Sequence, residues 1–167
     1  MKKAHLICLI YLVVGIVLLT IVNAISPQDF WGRYRTPEYA RMTSKYYDNT
    51  QTMICTVKND DRYLDFLLDN SGRLYSITIK RKNAMFGERY SVNTYASCDL
   101  DIEIRNHMDY YNKNGKVYWE SNSNIFTSKY KDVYWAVLDS TCKVEEENVS
   151  AYEFTFNQEQ YILYIKN

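Results

Sequence analysis

The chain has 167 residues, which is enough for one domain with a hydrophobic core and too few for two domains of ordinary size. Its 20 basic and 20 acidic residues balance, and this argues against a nucleic-acid partner, which would need a basic face. The unusual feature is the content of 17 tyrosines, because tyrosine favours strands and buries a large ring beside a hydrogen-bonding hydroxyl.

The N-terminus has the sequence of regions that is typical of a secretory signal peptide. Two lysines precede an apolar run over 6–22, and Val22-Asn23-Ala24 has the small-x-small form that a signal peptidase cuts. We predict cleavage after Ala24, which makes 1–24 a signal peptide and 25–167 a single, secreted extracellular domain without membrane attachment. The apolar run is just short of the ~20 residues that span a bilayer, so an uncleaved signal anchor is the alternative.

Period-two alternation predicts strands along the rest of the chain, as where Tyr75, Ile77 and Ile79 alternate with polar residues. Turn signals separate these stretches, including an Asn-Gly pair at 114–115 that suits a tight hairpin. The segment 37–47 is expected to form a short helix or a loop. The predicted strands cover 31–36, 51–58, 63–68, 73–82, 88–96, 99–106, 116–121, 132–139, 151–156 and 160–166.

This pattern predicts an all-β fold built as an antiparallel meander. A meander of this size closes into an up-and-down β-barrel of about eight strands, and the alternative is a two-sheet β-sandwich.

Three cysteines follow the N-terminal segment: Cys55, Cys98 and Cys142. In an oxidising compartment we expect two of them to form a disulfide bond, and the sequence does not select the pair. The remaining cysteine is either a buried thiol or a link to a second chain, which allows a dimer. Asn148-Val149-Ser150 is a glycosylation acceptor, expected in an exposed loop.

The residues that carry chemistry predict no enzyme, no cofactor and no metal site. His107 is the one histidine after the N-terminal segment, and we expect it in an exposed loop. Asp99, Asp101 and Glu103 alternate with apolar residues, which is typical of the solvated face of a strand rather than of a catalytic carboxylate pair. The cysteines lack the spacing of a zinc site.

Phe30-Trp31-Gly32-Arg33-Tyr34 resembles the opening of the lipocalin family, whose first strand begins with a Gly-x-Trp signature. Tyr34 stands at the tryptophan place. The stretch from Thr127 to Tyr134 is similar to the family's second motif, a Thr-Asp-Tyr turn before an apolar strand, although the aspartate is missing at its place. The resemblance implies an eight-stranded barrel in which Trp31 and Tyr34 close one end.

We therefore predict a secreted, non-enzymatic binding protein that carries a small apolar molecule in a barrel cavity. Cavities of this kind are mostly apolar and aromatic with a few placed polar groups. The expected lining residues are Trp31, Tyr34, Tyr75, Ile77, Tyr90, Tyr118, Val137 and Phe154. The alternative is a secreted or membrane-tethered protein-interaction domain with a filled core and a protein partner.

Overall fold

A computed structural model describes residues 2–29, 31–84, 87–117 and 133–166. Over these residues the chain forms three helices and seven strands. The helices are α1 (Lys2–Ile25), α2 (Pro37–Thr43) and α3 (Leu100–Asn114). The strands are β1 (Gln51–Asn59), β2 (Arg62–Asp69), β3 (Arg73–Ala84), β4 (Gly87–Asp99), β5 (Tyr134–Asp139), β6 (Val149–Phe156) and β7 (Glu159–Lys166).

The first sheet is an antiparallel meander in the order β1-β2-β3-β4. Alternation gives each strand two distinct faces, and in β2 one face carries Leu64, Phe66 and Leu68. The second sheet has the order β5-β7-β6, so that β7 lies in its centre.

The two sheets face each other across a shared hydrophobic core. Phe66 of the first sheet meets Trp135 of the second in an edge-to-face contact with ring centroids 6.0 Å apart. Val137, Leu163 and Ile165 are fully buried in the same cluster. At about 25 cal/mol per Å² of buried apolar area, such side chains dominate the stability of the fold.

The opposite face of the first sheet is covered by the segment 26–50. Thr36 caps α2 by accepting a hydrogen bond from the Tyr39 N–H, and Pro37 suits the first helical position. Ala40 of α2 packs on Ile79 and Tyr90 of the sheet. Many of the tyrosines lie in this layer: Tyr34, Tyr46, Tyr47, Tyr63, Tyr75, Tyr90 and Tyr95.

The predicted strand over 99–106 is wrong, because these residues begin α3. Asp99 caps the helix by accepting from the Asp101 N–H (3.0 Å) and the Ile102 N–H (3.3 Å). Gly115 ends it in the left-handed conformation (φ 67°), so 112–115 is a helix end and not a hairpin turn. His107 is buried on this helix rather than exposed in a loop.

The other strand predictions have mixed outcomes. The strands expected over 51–58, 63–68, 73–82, 88–96, 132–139, 151–156 and 160–166 correspond to β1 to β7, and α2 lies within 37–47. The stretch 31–36 contributes only isolated bridges, in which Tyr34 pairs with Gln28 and with Tyr90. Most of the strand predicted over 116–121 lies outside the described residues. The described strands form two sheets without closing into a barrel, and the two-sheet alternative fits this arrangement.

The helix α1 precedes this domain. The stretch Ala4–Ile25 spans 22 residues with a mean hydropathy of 2.8, and its most apolar part is not buried against the domain. It is long and apolar enough to cross a membrane, and a signal sequence meets the same description.

Candidate functional site: a groove between two edge strands

A groove of about 450 Å³ lies between β1 and β6, the edge strands of the two sheets. This volume is within the ~300–1,000 Å³ typical of binding sites. The groove is lined by Thr52, Met53, Ile54, Leu68, Asp69, Asn70, Glu153, Phe154, Thr155, Phe156 and Asn157. Ile54, Phe154 and Phe156 also pack against the inter-sheet core, so the groove has an apolar floor.

Local backbone features shape both walls of the groove. In β1 the register with β2 shifts between Met53 and Cys55, which is a bulge that re-aims the strand at this point. Gly72, in the turn between β2 and β3, has φ +79°, and a Cβ there would lie 2.9 Å from the Phe156 ring. Glycine is therefore required both by the turn and by the approach of Phe156.

The charge of the groove is negative. Glu153 is exposed at its rim. Burial alone would raise the pKa of the Asp69 carboxyl, but hydrogen bonds from the Ser71 hydroxyl, the Arg73 N–H and the Tyr75 hydroxyl outweigh it and hold that pKa below its ordinary value. The two carboxylates lie among the lining residues without a basic partner in that set.

A second groove of about 440 Å³ lies beside the end of α3. Its walls include Val117 and Tyr134, which flank the segment 118–132. The described residues therefore do not define the extent of this groove.

The predicted cavity-lining residues do not share one cavity. Tyr75, Ile77 and Tyr90 lie on the face of the first sheet that is turned away from the second sheet. Val137 lies in the inter-sheet core, and Phe154 lies on the groove floor.

The two residues expected to close a barrel end are also apart from that core. Trp31 is 74% exposed, with the Arg33 guanidinium 5.1 Å from its ring. Tyr34 pairs with Tyr90 of β4 on the outer side. Tyr118 lies outside the described residues.

A buried polar cluster lies under α2, and the sequence pattern did not predict it. The Asp65 side chain is fully buried and accepts from Arg41 Nε (2.7 Å), Arg41 Nη2 (2.8 Å), the Tyr47 hydroxyl (2.6 Å) and the Thr56 hydroxyl (2.7 Å). All its lone pairs face the protein, and the hydrogen bond to Asp65 raises the pKa of Arg41. The cluster fastens α2 and the following loop to the sheet rather than holding a ligand.

A second buried cluster joins Cys98, Glu103 and His107. Burial, followed by the neighbouring Glu103, raises the pKa of the Cys98 thiol, and burial raises the pKa of Glu103 as well. The carboxyl stands between the thiol and the imidazole, with His107 Nε2 3.7 Å from Glu103 Oε2. An activated thiol has a lowered pKa, whereas the pKa of Cys98 is raised, so this arrangement does not favour a nucleophilic role for the thiol.

The cysteines and the glycosylation acceptor occupy separate places. Cys55, Cys98 and Cys142 are all unbonded in the structure. Cys55 lies on β1 and Cys98 on β4, three strand spacings or about 14 Å apart, which exceeds the ~7 Å limit for a disulfide. Cys142 belongs to another cluster, where its Sγ lies 3.6 Å from Met108 Sδ. Asn148 is exposed at the turn before β6, as an acceptor must be.

Among the described residues, no group of three His, Cys, Asp or Glu side chains is arranged to hold a metal ion. Comparison of the chain with protein-family models, curated proteins and solved structures finds no match. The lipocalin resemblance therefore stays a prediction that rests on its short motifs.

Proposed function

We propose that this chain is a non-enzymatic binding domain outside the cytosol, and that it takes an extended polypeptide segment into the groove between β1 and β6. The observation that carries the proposal is that β6, which borders the groove, has no strand paired to its outer edge among the described residues. Edge strands with unpaired backbone groups are templates for the addition of another strand, and proteins that do not use them usually block them.

The geometry of the β6–β7 hairpin indicates which backbone groups are free. Asn157 (φ 49°) and Gln158 (φ 70°) form a two-residue loop with positive φ, which closes on the hydrogen-bonded pair Phe156–Glu159. Antiparallel pairs alternate, so the next pair, Thr155–Gln160, is not hydrogen-bonded. The Gln160 carbonyl indeed points the other way and accepts from the Ser140 N–H (3.1 Å).

The N–H and C=O of Thr155 consequently face the free edge of β6, and alternation places those of Glu153 and Ala151 there too. These residues offer a partner strand a row of donors and acceptors. The side chains of Phe154 and Phe156 point into the core side of the groove and would contact alternate side chains of the partner.

The lining predicts the chemistry of the partner segment. The apolar floor suits apolar side chains at alternate positions, and Glu153 with Asp69 suits a basic residue between them. We therefore favour a segment in which apolar and basic residues alternate.

The carrier function in a closed barrel receives less support. The residues expected to line a cavity are divided between the outer face, the core and the groove, and the side chains of the two sheets fill the space between them. A closed barrel would require β1 to pair with β6, and in the described part of the chain these two strands border the groove without pairing.

The test is selection of a phage-displayed library of random peptides of about 12 residues against the full chain in lipid nanodiscs. We expect enriched peptides of the alternating type whose affinity falls at least about tenfold on Thr155→Pro, because proline removes the outward N–H. Thr155→Ala is the matched control, since it retains that N–H, and we expect it to bind as the unchanged chain does. Peptides that bind Thr155→Pro equally well, or a selection without enrichment, would overturn the proposal.

A further inference from the structure

The C-terminal end of α1 is fastened to the domain by a buried arginine. Arg89 of β4 is 1% exposed, and its guanidinium donates from Nη2 to the Asn23 carbonyl (2.9 Å) and from Nη1 to the Ser26 carbonyl (3.3 Å). The last carbonyls of a helix have no partner within the helix, and a cation there also interacts favourably with the helix dipole. Arg89 serves both requirements.

The segment after α1 is also tied to the sheet. The backbone of Tyr34 exchanges two hydrogen bonds of 2.7 Å with Tyr90, the residue after Arg89. The Arg35 N–H donates to the Pro27 carbonyl (3.1 Å), and Asp29 accepts from two backbone N–H groups and forms an ion pair with Arg33. α1 therefore joins the domain through a hydrogen-bonded connection rather than through a loose linker.

Cleavage after Ala24 would dismantle this arrangement. It would remove the Asn23 carbonyl, which is the closer of the two acceptors of Arg89. It would also create an α-ammonium group on Ile25, next to Ser26, the other acceptor. A buried guanidinium would then lose a partner and gain a neighbouring positive charge, and both changes are unfavourable in a buried site.

The remainder of α1 suits a bilayer. At 1.5 Å per residue the 22 residues of Ala4–Ile25 extend about 33 Å, which matches the ~30 Å hydrocarbon core. Lys2 and Lys3 lie at the other end, and basic residues favour the cytosolic side, which places the domain outside. Trp31, 74% exposed, follows α1 by six positions, where tryptophan is enriched at the membrane interface.

We propose that α1 is retained as a membrane-spanning anchor and that Arg89 clamps its last turn to β4, which holds the domain close to the outer membrane surface. This proposal concerns attachment to the lipid bilayer and does not depend on what the groove binds. It replaces the predicted signal-peptide cleavage with a tethered domain.

The anchor is tested by expressing the full chain with a C-terminal tag in a secreting host. We expect the protein to remain in the membrane pellet after alkaline carbonate extraction, with an intact mass that includes 1–24. A soluble product whose mass begins at Ile25 would overturn the proposal.

The clamp is tested on the anchored chain in nanodiscs by limited proteolysis of the segment 24–29. We expect cleavage there to be at least about tenfold faster in Arg89→Ala, because the clamp lowers the population of the open form. Lys82→Ala is the control, since Lys82 is the cross-strand partner of Arg89 on β3 and its side chain is exposed. If circular dichroism shows that Arg89→Ala is unfolded, Arg89→Lys takes its place, because lysine keeps the charge but not the forked donors. We expect its cleavage rate to exceed that of the unchanged chain by less than about tenfold. Equal rates in the unchanged chain and in the folded Arg89 variant would overturn the clamp.

Discussion

Acid is expected to destabilise this domain through His107. Burial lowers the pKa of His107 from 6.5 to about 4. The ring is held neutral because Nδ1 accepts a hydrogen bond from the Val137 N–H (3.2 Å), and the ring packs edge-on against Trp135 with centroids 5.4 Å apart. Protonation in the folded state would break the first contact and place a charge in a buried site.

The size of the effect follows from the two pKa values. The difference of about 2.5 pKa units corresponds to about 3 kcal/mol of unfolding free energy, at ~1.4 kcal/mol per unit. The His107 side chain is 5% exposed, so screening by solvent is small. Because the folded pKa lies below the unfolded one, this stability is complete above about pH 6.5 and is lost as the pH falls to about 4.

Neighbouring groups act differently over this range. Burial raises the pKa of Glu103, so acidification favours the folded state through that carboxyl and offsets part of the loss. The carboxylates of Asp29, Asp69 and Asp139 have lowered pKa values and destabilise the fold only below about their ordinary value of 3.8. A His107 variant is therefore needed to isolate the histidine.

His107→Asn is the informative change, because its Oδ1 takes the place of Nδ1 as the acceptor for the Val137 N–H and does not titrate. The assay is urea unfolding of the full chain in detergent micelles at pH 7 and near pH 4, followed by tryptophan fluorescence. We expect the unchanged chain to lose about 3 kcal/mol more than His107→Asn between the two pH values. Equal losses in both proteins would refute the reasoning, whatever their absolute stabilities.

Two further changes test the packing. Asp65→Asn should lower the free energy of unfolding in urea by about 3 kcal/mol, because it leaves the Arg41 guanidinium without its buried partner. The control is Asp61→Asn, at an ion pair whose carboxylate is 48% exposed, which should lower it by less than about 1 kcal/mol. Similar losses would show that burial does not govern the Asp65 cluster. Gly72→Ala should lower the melting temperature more than Gly87→Ala, since both have positive φ but only the Gly72 Cβ meets the Phe156 ring, and an equal drop would argue against that contact.

The meander was predictable because alternation and turn residues are local signals. The strands β1 to β4 follow one another through short turns, so each strand pairs with its neighbour in sequence. The order β5-β7-β6 was less accessible, because β7 pairs on both sides and the sequence does not state which strand lies in the centre.

The error at α3 has an identifiable cause. Leu100, Ile102 and Ile104 alternate as in a strand, yet Leu100, Ile104, Met108 and Tyr111 also follow helical spacing. In the structure Leu100 is buried and Ile102 is 55% exposed, which is what the helix requires and what the strand excludes. The flanking Asp99 and Gly115 were the available signals for a helix start and stop.

The tyrosine content indicates strand surface and core, or the lining of a cavity, and in the structure many tyrosines cover the outer face of the first sheet. Tyr47 reaches Asp65 and Tyr46 stacks on Tyr95 at 4.8 Å, both from the segment before β1. A contact between a loop and a distant strand leaves no periodic signal, so the sequence alone could not assign it. The same holds for Arg89, whose partners lie more than sixty positions earlier.

The edges of the two sheets are covered unequally in the described part of the chain, and this asymmetry supports the proposed site. β5 is covered by α3, whose His107 accepts from the β5 backbone, and β4 is bridged by Tyr34. β1 and β6 instead border the groove with its apolar floor, and β6 has neither lysine nor proline along its length to discourage pairing. An edge left open by accident would be an aggregation risk, whereas an edge bordered by a floor of Phe154 and Phe156 can select one partner strand by its side chains. Thr155→Pro tests the backbone part of this recognition, because it blocks strand addition while the floor stays in place.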